Sequence, residues 1–418
     1  MATIVQKFGG TSVGDVSKIK KAAQKVKKEM EAGNKVVTVL SAMGKSTDTL
    51  VQLAEDITDN PDKREMDMLL STGEQVTISL MVMALKEIGI DAVSLTGWQA
   101  GIKTEPVHQN ARITRIDTER VESYLDEGKA VIVAGFQGMS EDGEITTLGR
   151  GGSDTTAVAL AAALNAKSCS IYTDVTGVYT CDPRVAKKAR QLDSISYDEM
   201  LELANLGAGV LHPRSVEFAK NYQVPLIVRS SMVDKEGTVV EEEASMEQNL
   251  AVRGLAFEAA VTKITIERLP NNFDTLSNVF SALADDGIDV DIITQQVTGE
   301  NEMNVSFSIH SDHLRESLDI LKQHSDRIGY KDIRYEEGLA KVSIVGSGMV
   351  SNPGVAANMF NVLSQEEVFI KMVSTSEIKV SAVIPEDAMV RSVEALHTAF
   401  QLDERVPVEE KKKEKVPS

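Results

Sequence analysis

The sequence predicts an α/β protein, in which a mostly parallel sheet lies between helices and is followed by two smaller ferredoxin-like units. Three observations support this fold class. Short β-branched runs, such as 35–40 and 130–134, alternate with longer amphipathic stretches in the first 245 residues. Polar, glycine-rich turns follow these runs. The C-terminal part of the chain contains an internal repeat of one strand-and-helix pattern.

The elements expected in the first part alternate along the chain. Strands are predicted over 3–7, 35–40, 89–95, 130–134, 168–172 and 224–229, and helices over 15–32, 62–88 (interrupted at Gly73 and Glu74) and 157–164; residues 144–148 lead into the glycine-rich turn at Gly149. Because Pro225 has no N–H for a sheet ladder, the last of these strands is expected near an edge. Ligands of such sheets bind beyond the carboxyl ends of the strands, where the polar turns lie.

The repeat begins at Lys263-Ile-Thr-Ile266 and again, 78 positions later, at Lys341-Val-Ser-Ile344. Each copy continues with a helix, two strands and a closing helix. The strands are predicted at 288–293 and 303–309, then 368–373 and 378–383, and the closing helices at 312–324 and 387–400. This βαββαβ order is ferredoxin-like. Since neither copy has cysteines or histidines at metal-binding spacing, a small-molecule sensor or dimerisation module is favoured over a second active site.

Four segments are therefore expected. They are a first domain over 1–245, two repeat domains over 258–336 and 338–404, and a flexible tail over 405–418, with a glutamate-rich linker at 235–249.

The charge of the chain excludes two classes of partner. The 418 residues carry a net charge of −19, of which residues 1–245 contribute −8 and residues 246–418 contribute −11. Nucleic acids and anionic membranes repel such a protein. Six lysines between Lys18 and Lys28 form a local basic patch, for which a solvated helix face is the favoured interpretation. If the ligands are also anions, local positive charge must hold them.

Cysteine usage and the N-terminus indicate the compartment. The two cysteines, Cys169 and Cys181, exclude a disulfide framework and a four-cysteine zinc site, and they fit a reducing environment. The N-terminus lacks the basic-then-apolar order of a signal peptide, and no apolar run approaches the ~20 residues of a membrane helix. A cytoplasmic location is expected.

Two glycine-rich turns are candidates for anion binding. Lys7-Phe-Gly-Gly-Thr-Ser12 follows a strand, so its backbone N–H groups and the Lys7 ammonium could meet a phosphate, although a tight turn is an alternative. Gly149-Arg-Gly-Gly-Ser-Asp154 is the stronger candidate, because an arginine between glycines has no packing role. For Asp154, a role as helix N-cap is an equal alternative.

Three further motifs are weaker. Gly44-Lys-Ser-Thr47 is not a Walker loop, because Val39 occupies the upstream glycine position, but Ser41 and Thr47 could supply hydroxyls. The long polar turn 173–184 offers Tyr179 to stack on a purine, whereas Asp182 and Arg184 could simply pair with each other. Leu211-His-Pro-Arg214 is expected to be structural.

Six motifs in order resemble the aspartokinase family, most closely its short monofunctional bacterial members. They are Lys7-Phe-Gly-Gly-Thr-Ser-Val13, Ser41-Ala-Met43, Ser71-Thr-Gly-Glu74, Gly135-Phe-Gln-Gly138, Thr147-Leu-Gly-Arg-Gly-Gly-Ser-Asp154 and Tyr172-Thr-Asp-Val-Thr-Gly-Val-Tyr179. The resemblance implies an amino-acid-kinase domain, two C-terminal ACT domains, and the magnesium-dependent conversion of ATP and L-aspartate to ADP and 4-phospho-L-aspartate. This reaction opens lysine, threonine and methionine (diaminopimelate) biosynthesis.

The resemblance also implies residue roles. Lys7 would stabilise the transferring phosphoryl group and Asp154 would organise the lysine and the phosphates. Aspartate would be held by Thr47, Glu74, Arg150, Gly152 and Ser153, with Arg150 on a carboxylate and Glu74 on the α-ammonium. ATP would be held by Lys7, Phe8, Gly9, Gly10, Ser41, Thr173, Asp174, Tyr179 and Arg184. Many relatives have a lysine where this chain has Gly209, so that contact with ATP cannot be carried over.

Regulation is expected in the repeat domains. Candidate effector residues are Asn272, Asp274, Thr275, Val290, Asp291 and Gln296 in the first, and Met349, Ser351, Asn352, Gly354, Val355, Ile370, Ser374, Thr375 and Glu377 in the second. Since Lys371 stands where the first domain has Asp291, the two sites cannot be equivalent. Lysine is expected to bind mainly at the acidic site, and inhibition by lysine alone and by lysine together with threonine are both left open. Met246 follows a glutamate-rich stretch whose purine-rich codons could encode a ribosome-binding site, and an internal start there would give an ACT-only subunit in an α2β2 assembly. An ordinary linker methionine and a homo-oligomer are the alternatives.

Rival functions remain open at this point. A related kinase of glutamate, N-acetylglutamate or UMP is the nearest, and a catalytically inactive amino-acid sensor is the second. A dinucleotide oxidoreductase is disfavoured, because Gly9-Gly10 is not part of a Gly-x-Gly-x-x-Gly motif.

Overall fold

The computed structural model describes residues 1–207, 209–242, 251–299 and 301–403. They form two compact units. The first holds Met1–Val178, Gln191–Asn205 and the described part of Gly209–Ser245; the second holds Tyr179–Arg190, Leu206 with Gly207, and residues 251–403. The segment Tyr179–Arg190, inside the predicted first domain, therefore belongs to the second unit. Met246 and the predicted tail 405–418 lie outside the described residues.

The strands in chain order are β1 Thr3–Phe8, β2 Lys35–Leu40, β3 Ala92–Leu95, β4 Ile102–Thr104, β5 Ile113–Ile116, β6 Ala130–Ala134, β7 Gln137–Ser140, β8 Ile145–Thr147, β9 Ser168–Thr173, β10 Ser194–Ser196, β11 Leu226–Ser230, β12 Thr238–Glu241, β13 Gly254–Pro270, β14 Ile293–Val297, β15 Glu302–His310, β16 Asp332–Val345, β17 Met372–Thr375 and β18 Lys379–Pro385.

The helices are α1 Val16–Glu31, α2 Ser46–Glu55, α3 Lys63–Leu70, α4 Thr72–Glu87, α5 Glu119–Asp126, α6 Gly152–Ala163, α7 Tyr197–Asn205, α8 Pro213–Asn221, α9 Thr275–Asp285, α10 Leu314–Gln323, α11 Ser325–Ile328, α12 Val355–Gln365 and α13 Met389–Ala399.

The main sheet of the first unit has the order β10-β12-β11-β9-β1-β2-β6-β3 in the described residues, with β12 antiparallel to β11. Its central strands are the β-branched runs that the sequence predicts as buried, and Val36, Val37, Val39 and Leu40 are fully buried. Asp15 caps α1, which buries Ile19 and Val26 against this sheet. Lys20, Lys21 and Lys28 of α1 are exposed, as the solvated-face interpretation requires, whereas the Lys25 ammonium lies 5.3 Å from the centroid of the Tyr172 ring.

Two predictions near the end of this unit are wrong. β11 is not an edge strand, because β12 adds beside it, and Pro225 precedes the strand without interrupting its ladder. β12 itself lies in the segment predicted as linker. A small second sheet, β5-β4-β7-β8, was not predicted, because its strands have only three or four residues.

Within the described residues, one helical stretch, Lys63–Glu87, is long and apolar enough to cross a membrane by length and composition alone. It is two helices, α3 and α4, which meet at Ser71 where the sequence predicts an interruption. Ile78, Met81 and Leu85 of α4 pack in the core beneath the main sheet. This burial is the pattern of a core helix.

The second unit contains the repeat and has one sheet of order β14-β15-β13-β16-β18-β17. In the first repeat, β13, β14, β15 and β16 give the four-strand arrangement of a ferredoxin-like fold. In the second, the last strand is not at the C-terminus of the described chain. Gly254–Glu258 of β13 takes its place, pairing antiparallel with Lys341–Val345 of β16. A segment before the first repeat therefore completes the second.

The predicted second strands of the two repeats begin four to five residues too early. The structure places β14 at 293–297 and β17 at 372–375 instead of 288–293 and 368–373. Ile288 and Val368 belong to the hydrophobic cores of the two repeats. Both residues lie in the turn between a helix and the following strand. Because the apolar run that begins in the turn continues into the strand, the sequence pattern does not mark where the strand starts.

Candidate active site

Lys7 and Asp154 form an ion pair at the carboxyl edge of the main sheet. Lys7 lies near the end of β1 and Asp154 lies in the first turn of α6, and the ammonium nitrogen is 2.6 Å from carboxylate Oδ1. The two side chains are only 11% and 14% exposed, so little water screens them. The N-cap interpretation of Asp154 is wrong, since Gly151 holds that position in a left-handed conformation.

A cavity of about 350 Å³ opens beside this pair. Its lining comprises Lys7, Gly10, Ser41, Ala42, Gly44, Thr47, Asp48, Glu74, Phe136, Gly149, Arg150, Gly151, Gly152, Ser153 and Asp154. All five predicted aspartate-binding residues are in this set, as are three of the nine predicted ATP-binding residues, Lys7, Gly10 and Ser41.

 

The lining is polar and carries both signs of charge, with Lys7 and Arg150 as its cations.

Arg150 is exposed in the cavity wall, between two glycines in left-handed conformations, Gly149 at φ +75° and Gly151 at φ +70°. These backbone angles favour glycine at both positions. Among the described residues, the Arg150 guanidinium has no ion pair or hydrogen bond. It is therefore available to bind an anionic group of a ligand, and its planar fork suits a carboxylate.

Glu74 contributes a buried carboxylate from the first turn of α4. The residue is only 3% exposed. Its Oε1 accepts a hydrogen bond from the Ala42 backbone N–H at 3.1 Å, while Oε2 is buried and has no well-formed hydrogen bond among the described residues. Burial raises the pKa of Glu74 to about 8, against a smaller opposing effect of backbone N–H groups. An ammonium group entering the cavity would supply the missing partner.

The loops around the cavity approach one another closely. A Cβ on Gly135 would lie 2.7 Å from the Ser153 hydroxyl oxygen, and one on Gly10 would lie 2.8 Å from the Ala42 carbonyl oxygen. Phe136 has a positive φ of 70°, which is uncommon for a residue with a side chain. Glycine at positions 10 and 135 thus permits the loops to pack this closely.

The remaining predicted nucleotide residues of the first unit lie where β1, β9 and β11 end. The Phe8 side chain is fully buried and stacks on Tyr172 with ring centroids 4.5 Å apart, so only its backbone could face a ligand. The Gly9 N–H donates to the Tyr172 carbonyl at 3.3 Å. The Thr173 hydroxyl donates to Asp174 at 3.2 Å. None of these four residues lines the cavity.

Two predicted nucleotide residues, Tyr179 and Arg184, lie on the segment assigned to the second unit. The Arg184 guanidinium binds the Asp182 carboxylate, with Nη2 to Oδ2 at 2.6 Å, which is the pairing that the sequence offers as the alternative. Gly209 has a φ of +65°, a conformation that favours glycine.

Six lining residues are not among the predicted site residues: Ala42, Gly44, Asp48, Phe136, Gly149 and Gly151. Ala42 and Phe136 lie within motifs that carry the family resemblance. Asp48 follows Thr47 in the first turn of α2, and only the start of that helix at Ser46 could have indicated it.

In the second unit, Asp291 is already paired. The Lys341 ammonium lies 2.5 Å from Asp291 Oδ2 and 2.7 Å from Glu258 Oε2, and the Lys341 side chain is 6% exposed. Although burial alone would lower it, hydrogen bonds to Asp291 and Glu258 raise the pKa of Lys341. Lys371, at the matching place in the second repeat, pairs with Glu336 at 2.6 Å. The two repeats therefore differ in charge at this place, as the sequence predicts.

The other predicted effector residues cluster at helix starts and on the outer strands. Asn272 accepts from the Asp274 N–H and from the Thr275 hydroxyl before α9. In the second repeat, Met349, Ser351 and Asn352 lie in the turn before α12, where Gly354 has a φ of +100°. Gln296 lies on β14, while Ser374 and Thr375 lie on β17. Val290 and Ile370 precede these strands, and Glu377 follows β17.

Two family models match the chain. The amino acid kinase family matches residues 2–230, and an ACT domain matches residues 342–400. The chain is 63% identical over 402 residues to an aspartokinase of Bacillus sp. (strain MGA3) and 64% identical over 402 residues to aspartokinase 2 of Bacillus subtilis (strain 168). Each alignment covers 96% of this chain and 98% of the relative.

Solved structures give the same result. Escherichia coli aspartokinase III in complex with aspartate and ADP (R-state) superposes with a TM-score of 0.78 at 29% identity, covering 95% of this chain and 99% of that chain. The same enzyme with lysine and aspartate (T-state) gives a TM-score of 0.77 at 29% identity, with the same coverage. The kinase match over more than half of the chain and the near-full-length relatives agree with the cavity and the sheet topology. The chain therefore belongs to the aspartokinase family.

Proposed function

We propose that the cavity of the first unit transfers the γ-phosphoryl group of ATP to the β-carboxylate of L-aspartate, giving 4-phospho-L-aspartate and ADP. The main support for this function is that three features line one cavity. They are the Lys7–Asp154 pair, the Arg150 guanidinium, which has no partner among the described residues, and the buried Glu74 carboxylate. Family membership supports the same activity.

This reaction needs no general base. The side-chain carboxyl of aspartate has a reference pKa near ~3.9, so it is an anionic nucleophile at neutral pH. Catalysis then depends on positioning the reactants and on offsetting charge on the transferring group. Lys7 provides this cation, and Asp154 holds its ammonium at the mouth of the phosphate site.

Arg150 and Glu74 define the acceptor as a free amino acid. Arg150 binds a carboxylate, and Glu74 binds the α-ammonium through its unsatisfied oxygen. Acetylation would remove that positive charge and leave Glu74 buried without a partner, which disfavours N-acetylglutamate. UMP has no ammonium at all. Thr47, Gly152 and Ser153 complete the acceptor side of the cavity.

ATP supplies the phosphoryl group, and Mg²⁺ enters as its complex. The described residues contain no group of three or more histidine, cysteine or acidic side chains that could hold a metal ion. Mg²⁺ in kinases is commonly bound by substrate phosphates with one or two carboxylates, so a separate protein cage is not required. Asp154, which lies beside Lys7 in the cavity lining, is the carboxylate we propose for such a complex.

An ATP-dependent hydroxamate assay tests this function. With aspartate we expect hydroxamate formation that requires ATP and Mg²⁺, because the acyl phosphate product reacts with hydroxylamine. Glutamate is one methylene longer and should react at least about 10-fold more slowly in kcat/KM. Equal activity with glutamate would contradict the aspartate assignment, and no turnover with either would support the inactive-sensor alternative.

We propose L-lysine as the effector, bound at the acidic first repeat near Asp291. The support is the difference in charge between Asp291 and Lys371, together with the lysine complex of the Escherichia coli enzyme. The structure adds a condition, because the Lys341 ammonium already occupies one Asp291 oxygen. A bound lysine must therefore share Asp291 with Lys341 or displace it.

Isothermal titration with lysine tests this site through two variants. Asp291→Ala should weaken lysine binding by about 10-fold or more, since it removes a charge-assisted contact. Lys341→Met should strengthen binding, because it removes the internal competitor. Lysine affinity that is unchanged in Asp291→Ala would overturn the assignment.

The assembly and location remain proposals from the sequence. An internal start at Met246 would yield a smaller ACT-only subunit and an α2β2 assembly, and replacing Met246 should remove the smaller product. The expected location is the cytoplasm, with which the free thiols Cys169 and Cys181 are consistent.

A further inference from the structure

The segment that carries Arg150 is held by two charged residues that take no part in the chemistry above. Asp67 lies on α3 and is fully buried. Arg214 lies at the start of α8 and is half-buried. We propose that these two residues are positioning residues for aspartate binding, which act by fixing the backbone on the N-terminal side of Arg150. This inference rests on the proposed role of Arg150.

Asp67 holds two separate segments with its two oxygens. Oδ1 accepts a hydrogen bond from the Thr147 hydroxyl at 2.6 Å. Oδ2 lies 2.7 Å from His108 Nδ1, and the Gln109 N–H reaches both oxygens at 3.2 Å. A buried carboxylate without such partners would be costly, so these bonds fix where the two segments lie.

Arg214 holds the same two segments through backbone carbonyls. Its Nη1 donates to the Leu148 carbonyl at 2.7 Å, and its Nη2 donates to the Ala111 carbonyl at 2.8 Å. The Ala111 N–H in turn donates to the Thr147 carbonyl at 2.9 Å. The Asp67 carboxylate only accepts hydrogen bonds and the Arg214 guanidinium only donates them. Together they join the strands before Arg150 to the 108–111 segment.

Close packing also restrains the backbone on both sides of Arg150. A Cβ on Gly149 would lie 2.9 Å from the Asn110 side-chain oxygen, and a Cβ on Gly151 would lie 2.2 Å from the His212 ring. His212 is the N-cap of the helix that carries Arg214. The Arg150 guanidinium in this fixed segment has no hydrogen bond or ion pair with any residue that the structure describes. A guanidinium in this arrangement is preorganised for a carboxylate, and a displacement of about 1 Å can cost about 100-fold in rate.

The test compares two variants of the holding residues with matched controls. Thr147→Val removes the hydroxyl that binds Asp67 but keeps the side-chain volume, and Thr147→Ser keeps the hydroxyl. Arg214→Gln removes the paired donors, while Lys220→Gln changes a partly exposed residue of the same helix whose ion pair is with Asp198. Steady-state KM values for aspartate and for ATP, kcat and the thermal midpoint are measured for each.

We expect Thr147→Val and Arg214→Gln to raise the KM for aspartate by about 10-fold, with the KM for ATP changed by less than about twofold. Thr147→Ser and Lys220→Gln should retain wild-type values. If Thr147→Val folds and leaves the KM for aspartate unchanged, or if both KM values rise equally, the positioning role is overturned.

Arg150→Gln is measured in parallel to separate the two claims. If it raises the KM for aspartate while Thr147→Val and Arg214→Gln do not, only the positioning role fails. If Arg150→Gln leaves that KM unchanged, the proposed role of Arg150 fails, and the positioning role fails with it.

Discussion

Replacing Glu74 with glutamine is expected to weaken aspartate binding and, at high pH, to stabilise the protein. Both effects have one cause, since burial raises the pKa of the Glu74 carboxyl to about 8. The ionised form is unfavourable in the free protein, yet it is the form that binds an ammonium group. Glutamine keeps the shape of the side chain and cannot ionise.

The direction of the stability effect follows from proton linkage. The folded state holds the Glu74 proton more tightly than the unfolded chain does, where the reference pKa is 4.5. Ionising Glu74 therefore costs folding stability progressively as pH rises from about 4.5 to 8, and the cost is fully present above 8. Relative to wild type, Glu74→Gln should gain up to about 5 kcal/mol in the free energy of unfolding at pH 9 and nothing from this source at pH 4.

The activity effect has the opposite sign. For the wild type, kcat/KM for aspartate should rise about tenfold per pH unit between pH 6 and 8, because the free protein must ionise Glu74 before binding. Glu74→Gln should lower kcat/KM at pH 8 by about 100-fold and remove this slope. Glu87→Gln, at the exposed end of the same helix, is the control. A flat wild-type profile from pH 6 to 8 would contradict the ammonium-binding role.

The central sheet could be predicted because its strands are encoded locally. β2 and β6 are continuous β-branched or alanine-rich runs, and their observed bounds match the predicted ones. The strand at Gly254–Glu258 could not be assigned to the second repeat, because that pairing joins it to Lys341–Val345 across the whole first repeat. Pro225 was misleading because it precedes its strand, and proline limits pairing only at its own position.

The cavity lining was predicted mainly by the turns that follow strands. The turns after β1 and β2 meet at one edge of a parallel sheet, so Lys7 and Ser41 could be placed together without a structure, whereas Arg150 follows β8 of the small second sheet. The supporting contacts were not predictable, because Asp67 and Thr147 are 80 positions apart and Ala111 and Arg214 are 103 apart. The strongly raised pKa of Glu74 depends on burial, which the motif Ser71-Thr-Gly-Glu74 does not encode.

Lys7→Met and Asp154→Asn are each expected to abolish most turnover. When the two substitutions are combined, stability and turnover should respond differently. Lys7→Met removes the cation that offsets charge on the phosphoryl group, for which we expect a decrease in kcat of at least about 1,000-fold. Asp154→Asn leaves that cation in place but no longer held at its position, and a smaller decrease of about 100-fold is expected.

Stability separates the role of the pair in folding from its role in catalysis. Lys7→Met leaves the Asp154 carboxylate largely buried and unpaired, which should cost about 3–5 kcal/mol in the free energy of unfolding. The double variant Lys7→Met/Asp154→Asn removes both charges, so much of that stability should return while turnover stays as low as in Lys7→Met. Denaturant unfolding and single-turnover assays on the four proteins measure both quantities. If turnover recovered together with stability, the Lys7 ammonium would be a structural partner of Asp154, and the cation at the transferring phosphoryl group would have to come from elsewhere in the cavity.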